Sequence, residues 1–253
     1  MSGGGETADV GDLTGTVAVD SCAVAVAKRD VIIDNANITS DLSIVGFSSA
    51  GKASYENTLN SGIGSNGLTS ARHELLSKHY AENYPETYDP QTEEKFIYCG
   101  PHRMNDPLPT SELTIGEALL SPTRTYLPLI KKISEEIGKE LKGAVHCSGG
   151  GQTKCLRFGT EVKYVKDNLF NPPPIFSEIQ KVSKTSAREM HQVYNMGHRL
   201  ELFCKPPLEN ILIDLANEFK IEAKVIGRTV PSGNPNGKNQ LQISLADEIL
   251  QYE

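Results

Sequence analysis

The chain carries no excess of positive charge. Its 25 Lys and Arg are outnumbered by 32 Asp and Glu, for a formal net charge of −7. That balance argues against nonspecific nucleic-acid binding as a main role, although it leaves room for a local basic patch. No apolar run approaches the length of a membrane span, and no basic–apolar–small signal sequence opens the chain, so no membrane association is expected. The five cysteines, Cys22, Cys99, Cys147, Cys155 and Cys204, are scattered, odd in number and without a CxxC pair. Such a set fits reduced thiols in the cytoplasm better than a disulfide framework. The six histidines do not join them at zinc-ligand spacing, which argues against a structural metal.

What is present is a globular composition, 38% hydrophobic and 23% charged over 253 residues. That is enough for one large domain or two smaller ones with real cores. The opening MSGGGETADVGD is Gly-rich and leads abruptly into TVAVDSCAVAVA, residues 16–27, whose period of two reads as a buried strand. Met1 therefore reads as an internal methionine of a longer protein or as a start that cuts into a domain. Residues 42–51, LSIVGFSSAG, read as a second strand ending in a small-residue turn. In NSGIGSNGLTSARHELLSKHY, Gly62, Gly64 and Gly67 crowd a turn, and Leu68, Leu75 and Leu76 recur at helical spacing. A Gly-rich loop feeding a helix suits an anion, and it equally suits a plain loop–helix junction.

Residues 80–110 are rich in Pro, Tyr and acids and hold no period, so the stretch reads as a surface insertion of about 78–115 with a solvated acidic face. Regular structure resumes at Ser121. Tyr126, Ile130, Ile133, Ile137 and Leu141 form one helical stripe, and Leu208, Ile211, Leu212, Leu215 and Phe219 another. NPPPIFSEIQKVS starts a helix after a rigid proline run, and Ser186 with Glu189 has capping-box spacing. GAVHCS, NMGHRLELFC, EAKVIGRTV and NQLQISL read as strands. The mixture is α/β or α+β, without an internal repeat.

VHCSGGGQTKCLRF, residues 145–158, poses the sharpest question. Three glycines after an apolar strand make either a flexible loop or a cradle whose N–H groups converge on a phosphate. The rest of the chain bears on the choice. GGGETAD, GSNGLTSAR, LLSPTRTY, GAVHCSGGGQT, VYNMGHRLEL and AKVIGRT follow one another in this order. That series resembles the aminoimidazole ribonucleotide synthetase family, also called phosphoribosylformylglycinamidine cyclo-ligases. The family belongs to an ATP-binding superfamily with formylglycinamidine ribonucleotide synthetase, selenophosphate synthetase, thiamine-monophosphate kinase and a hydrogenase maturation factor.

The resemblance covers nearly the whole chain apart from the insertion. It implies an α+β fold in which residues 37–253 form the C-terminal, substrate-binding domain, a mixed sheet flanked by helices. Residues 1–36 would be a remnant of the ATP-binding first domain. It also implies a homodimer and ATP-dependent, Mg²⁺-assisted closure of formylglycinamidine ribonucleotide to aminoimidazole ribonucleotide. Glu6, and less so Asp9, would hold Mg²⁺ against ATP phosphates. Gly149, Gly150 and Gly151 would bind the substrate 5′-phosphate, with Ser148 and Thr153 adding hydroxyl donors. Ser65 and Asn66 would bind substrate or merely cap a helix, and Asn195 would shape a turn near the site. His146 would carry a proton or orient the loop, and Arg124 would pair with phosphate or sit on the surface.

Two departures stand out. The family's Asp-Gly-Val-Gly-Thr-Lys segment is absent, and its HSNG reads GSNG, so Gly64 replaces a histidine whose role passes to no residue; nothing places His73 or His79 there. A non-catalytic ribonucleotide-binding or regulatory module is the alternative these departures support. A superfamily member acting on another acceptor is a third. An unpaired strand over residues 16–27 is expected to aggregate or to recruit a second copy.

Overall fold

Ser43–Ser48 (β1), SIVGFS, is buried at all six positions, because both faces of its sheet are covered. Alternation sorts the side chains: Val45 and Phe47 enter one core and Ile44 another. The computed structural model describes Asp12, Cys22 and residues 24–253. β1 lies between β4 (His198–Cys204) and β5 (Ala223–Pro231), antiparallel to both. Beyond β4 is β2 (Gly143–His146); beyond β5 come β3 (Val162–Lys166), β6 (Gln240–Ser244) and β7 (Ile249–Tyr252), giving the order β2-β4-β1-β5-β3-β6-β7. Only the β3–β6 pair is parallel. The sheet is mixed and the fold is α+β.

Seven helices accompany it among the described residues: α1 (Leu68–Leu75), α2 (His79–Asn83), α3 (Ile115–Leu119), α4 (Leu127–Ile137), α5 (Pro174–Ser183), α6 (Ala187–Val193) and α7 (Glu209–Glu218). The apolar stripes of α4 and α7 bury Ile133, Leu129, Leu212 and Leu215 against Val45 and Leu202. On the opposite face Ile44, Tyr164, Phe203 and Ile243 share a second core. A third core joins α1, α3 and α5.

The insertion belongs to that third core, which corrects the reading of a surface loop. Ile97, Tyr98, Leu108 and Ile115 are buried in it. Their spacing follows short 3-10 turns and isolated bridges, not one period, so no pattern exposed them. α3 opens with a full capping box between Thr114 and Glu117, whereas at α6 the Ser186 hydroxyl accepts from the Glu189 N–H at 3.2 Å. Of the strand expected over residues 16–27, Cys22 and residues 24–27 are described; they are exposed and in no strand, and the remainder lies outside the described residues. β3 and β7, five and four residues long, went unrecognised in the sequence.

One contact crosses the sheet. Lys166 of β3 and Glu201 of β4 are separated by β5 and β1. Three strand spacings amount to roughly 14 Å on a flat sheet. The two long side chains lean toward each other over that gap, and the Lys166 Nζ donates to the Glu201 Oε1. Gly46 on the intervening β1 keeps the gap low: a Cβ there would lie 2.7 Å from the Ile226 Cγ2. Both charged side chains are 0% exposed. Lys166→Met, which strands the Glu201 carboxylate, should lower unfolding stability by roughly 3–5 kcal/mol. Lys166→Met with Glu201→Leu should recover most of it. Urea unfolding of the three proteins checks this.

Candidate functional site

Register brings the candidate residues together. Ser48 lies opposite His198, and His146 lies opposite Leu200. The ends of β1 and β2 and the start of β4 therefore share one edge of the sheet. The segments at residues 62–67, 147–153 and 193–197 meet there.

Asn195 ties them. Its Oδ1 accepts from the Ser49 hydroxyl at 2.7 Å and the Gly197 N–H at 3.1 Å, and its Nδ2 donates to the Gly62 carbonyl at 2.9 Å. The Gln152 Nε2 donates to the Asn195 carbonyl at 2.5 Å, and the Asn66 Nδ2 to the Val193 carbonyl at 2.6 Å. Asn195 thus shapes the turn and spends its side chain on the protein.

Gly151 needs its missing Cβ, which would lie 2.5 Å from the Tyr194 carbonyl oxygen. Its N–H turns back to the Ser148 carbonyl at 2.9 Å. The Thr153 N–H and hydroxyl both donate to the Gly150 carbonyl, at 2.9 and 2.7 Å. The Gly149 and Gly150 N–H groups have no hydrogen-bond partner among the described residues. Gly149 is open, and a Cβ there would meet only the Asn66 Oδ1, at 3.8 Å. Two adjacent free N–H groups suit an anion, although the Asn66 amide spends its Nδ2 on Val193 and turns only its oxygen toward Gly149. The Ser148 hydroxyl sits alongside, held loosely to the His146 carbonyl at 3.4 Å. Ser65 is exposed, with its N–H on the Thr123 hydroxyl at 3.0 Å.

His146 ends β2 at this edge. Partial enclosure of the ring, then the positive charges of Arg199 and Lys154, hold its pKa below the ordinary 6.5. The ring is thereby neutral at neutral pH and able to accept a proton.

Arg124 is placed otherwise than expected. It is 3% exposed and forks onto Glu56, with Nε to Oε1 at 2.8 Å and Nη2 to Oε2 at 2.7 Å, while Nη1 donates to the Ser48 and Ala50 carbonyls. It braces the loop after β1 from beneath, and an internal carboxylate takes the place of the expected phosphate. Neither histidine near α1 replaces the one missing at Gly64. The buried His73 faces Asp12 at 3.0 Å and takes the Tyr98 N–H, and His79 pairs with Asn83. Glu6 and Asp9 lie outside the described residues.

Behind the glycine loop is a buried network that sequence reasoning missed. The Lys166 Nζ donates to the Gln152 carbonyl at 2.8 Å and side-chain oxygen at 3.0 Å, as well as to Glu201. The His198 Nε2 meets the Glu201 Oε1 at 3.0 Å. Burial alone would raise the Glu201 pKa, but the Lys166 ammonium and the His198 contact hold it down at about 2. Cys147, His198 and Glu201 have ligand atoms within 4.8 Å of one another. Lys166 already supplies the positive charge there, and burial raises the Cys147 thiol well above its ordinary range, so the cluster does not suit a cation. The one available signal was the charge in HRLELFC, where His198, Arg199 and Glu201 sit inside an otherwise apolar strand. No described helix is long and apolar enough to cross a membrane.

This mixed-sheet domain with its glycine-loop edge matches the family model "AIR synthase related protein, C-terminal domain" over residues 42–238. The chain belongs to that family. It is 32% identical over 234 residues to the phosphoribosylformylglycinamidine cyclo-ligase of Methanocaldococcus jannaschii, which covers 92% of this chain and 57% of that protein. It is 31% identical to the cyclo-ligase of Methanococcus vannielii over 88% of this chain and 54% of the relative. It is 28% identical to that of Pseudothermotoga lettingae over 90% and 58%. The chain thus spans little more than half the length of these relatives. Thermotoga maritima PurL, solved in complex with FGAR, overlaps 88% of the chain at 10% identity and a TM-score of 0.45.

The His146 ring should titrate with a midpoint below 6.5. If it acts as the base, activity should fall as pH drops through that midpoint; if it only orients the loop, no acidic limb should follow it. Histidine NMR titration alongside a pH–rate profile checks both.

Proposed function

We propose that this chain is the C-terminal, substrate-holding part of a cyclo-ligase that converts formylglycinamidine ribonucleotide to aminoimidazole ribonucleotide with ATP. The observation that carries the reading is the pair of free N–H groups at Gly149 and Gly150, beside Asn66 and close to His146. On this reading they receive the substrate 5′-phosphate, with the Ser148 hydroxyl alongside. On this reading ATP phosphorylates the formyl oxygen. A substrate nitrogen then attacks that carbon, and phosphate leaves as the imidazole ring closes, so the protein mainly positions groups and offsets charge. His146, neutral at working pH, is the candidate for taking up the proton released by the attacking nitrogen.

Residues 37–253 are the substrate domain in this scheme, and residues 1–36 part of a nucleotide-binding one. Mg²⁺ and ATP fall to Glu6 and Asp9 in that first segment. A homodimer would cover Val24 and Val26, which are 89% and 100% exposed. A cytoplasmic location follows from the biosynthetic role. The second reading, a ribonucleotide-binding module without catalysis, draws support from Gly64, whose place holds no proton-transfer group.

Release of ADP from Mg-ATP, with and without formylglycinamidine ribonucleotide, separates the two readings. Substrate-dependent release supports the enzyme, and ribonucleotide binding without release supports the module. Gly149→Asp adds a carboxylate on the open side of the loop. It should leave the melting temperature within about 2 °C while weakening ribonucleotide binding at least tenfold, roughly 1.4 kcal/mol. Calorimetric titration reads the affinity, and unchanged affinity would remove the phosphate from this loop.

A further inference from the structure

Arg199 is 1% exposed, and among the described residues no carboxylate lies within 4.0 Å of its guanidinium. Its Nη2 donates to the Gly62 and Ile63 carbonyls at 3.1 and 2.7 Å, and its Nε is buried without a partner. Carbonyls orient a guanidinium but do not neutralise it. A charge this deeply buried is ordinarily paired. Tyr126 and Cys147, the titratable groups that would favour its charged form, are themselves pushed up by burial and stay neutral. Lys154 adds positive charge on the same side.

The guanidinium also lies where a side chain on Gly64 would begin. A Cβ there would overlap it, 2.6 Å from Nη1, and the Gly64 φ of +60° is one that glycine accepts readily. A side chain at position 64 and the Arg199 guanidinium thus exclude one another. The arginine arrives from below, between the 62–67 loop and the 195–197 turn, at the edge where the Gly149 and Gly150 N–H groups are free.

We propose that Arg199 is the built-in counter-charge of this site: it pins the 62–67 loop through two carbonyls and supplies the positive charge that a phosphate-bearing ligand neutralises. This rests on the phosphate reading of the glycine loop and adds the residue that makes the loop selective for a dianion. Acting from beneath through the loop and through its field, Arg199 is a positioning residue.

Inorganic phosphate and formylglycinamidine ribonucleotide, each titrated calorimetrically into wild type, Arg199→Lys and Arg199→Gln, test it. Arg199→Gln keeps polar donors without charge and should weaken both ligands about tenfold or more, while Arg199→Lys should stay within about threefold of wild type. In Arg199→Gln the His146 titration midpoint should also rise, which lost packing alone would not produce. Equal phosphate affinity in wild type and Arg199→Gln overturns the proposal and leaves the cyclo-ligase reading standing. Phosphate bound with the expected Arg199 dependence, but no ribonucleotide binding, upholds Arg199 and sinks that reading. Phosphate failing to bind wild type sinks the Arg199 proposal outright. Should Arg199→Gln not fold, the Arg199 Nε–H resonance of wild type decides: it should move on phosphate addition, and no movement overturns the proposal.

Discussion

The Lys166–Glu201 pair is the constraint on which the rest of the domain depends. Its charges come from strands three positions apart in the sheet, and the side chains meet over the two strands between. The 3-10 turn over Gly151–Arg157 sits on this face through Gln152. Gln152 in turn reaches the Asn195 and His198 carbonyls. One buried ammonium therefore sets the height and tilt of the glycine loop relative to the 193–197 turn. An apolar replacement of similar volume could hold the sheet, but it would not specify where Gln152 goes.

The loop edge contains two kinds of arginine. Arg124 is buried with its carboxylate, Glu56, and is electrically closed. Arg199 is buried without one among the described residues and is electrically open. The difference separates a structural brace from the proposed counter-charge more clearly than residue type or chain position does. It also gives the glycine triplet its meaning. Gly151 is there for close packing against Tyr194, whereas Gly149 leaves open space in front of two free N–H groups.

The third core shows how this domain departs from a bare sheet-and-helix layout. Tyr98, Leu108 and Ile97 of the insertion close over α1, and the Arg72 Nη2 donates to the Tyr98 hydroxyl at 3.0 Å and to the Thr87 carbonyl at 2.6 Å. α1 follows directly from the Gly64–Gly67 loop. The insertion therefore buttresses the helix that fixes one wall of the candidate site.

Local patterns determined β1, β2, β4, β5, β6 and the helices α4, α5 and α7, because each carries its own period and its own breakers. Taken in order, the motifs also determined the family, and the resemblance named Gly149–Gly151, Ser148, Thr153, Asn66, Ser65, His146 and Asn195 as candidate site residues. Only the tertiary structure decided that Arg124 faces inward to Glu56 and that the insertion is core. It alone joined Lys166 to Glu201 and put the Arg199 guanidinium where a Gly64 side chain would begin. The physical reason is common to all four. Pairing of charges and filling of space depend on strand order and register, which bring together residues as far apart as 35 and 136 positions, and no local period encodes such distances.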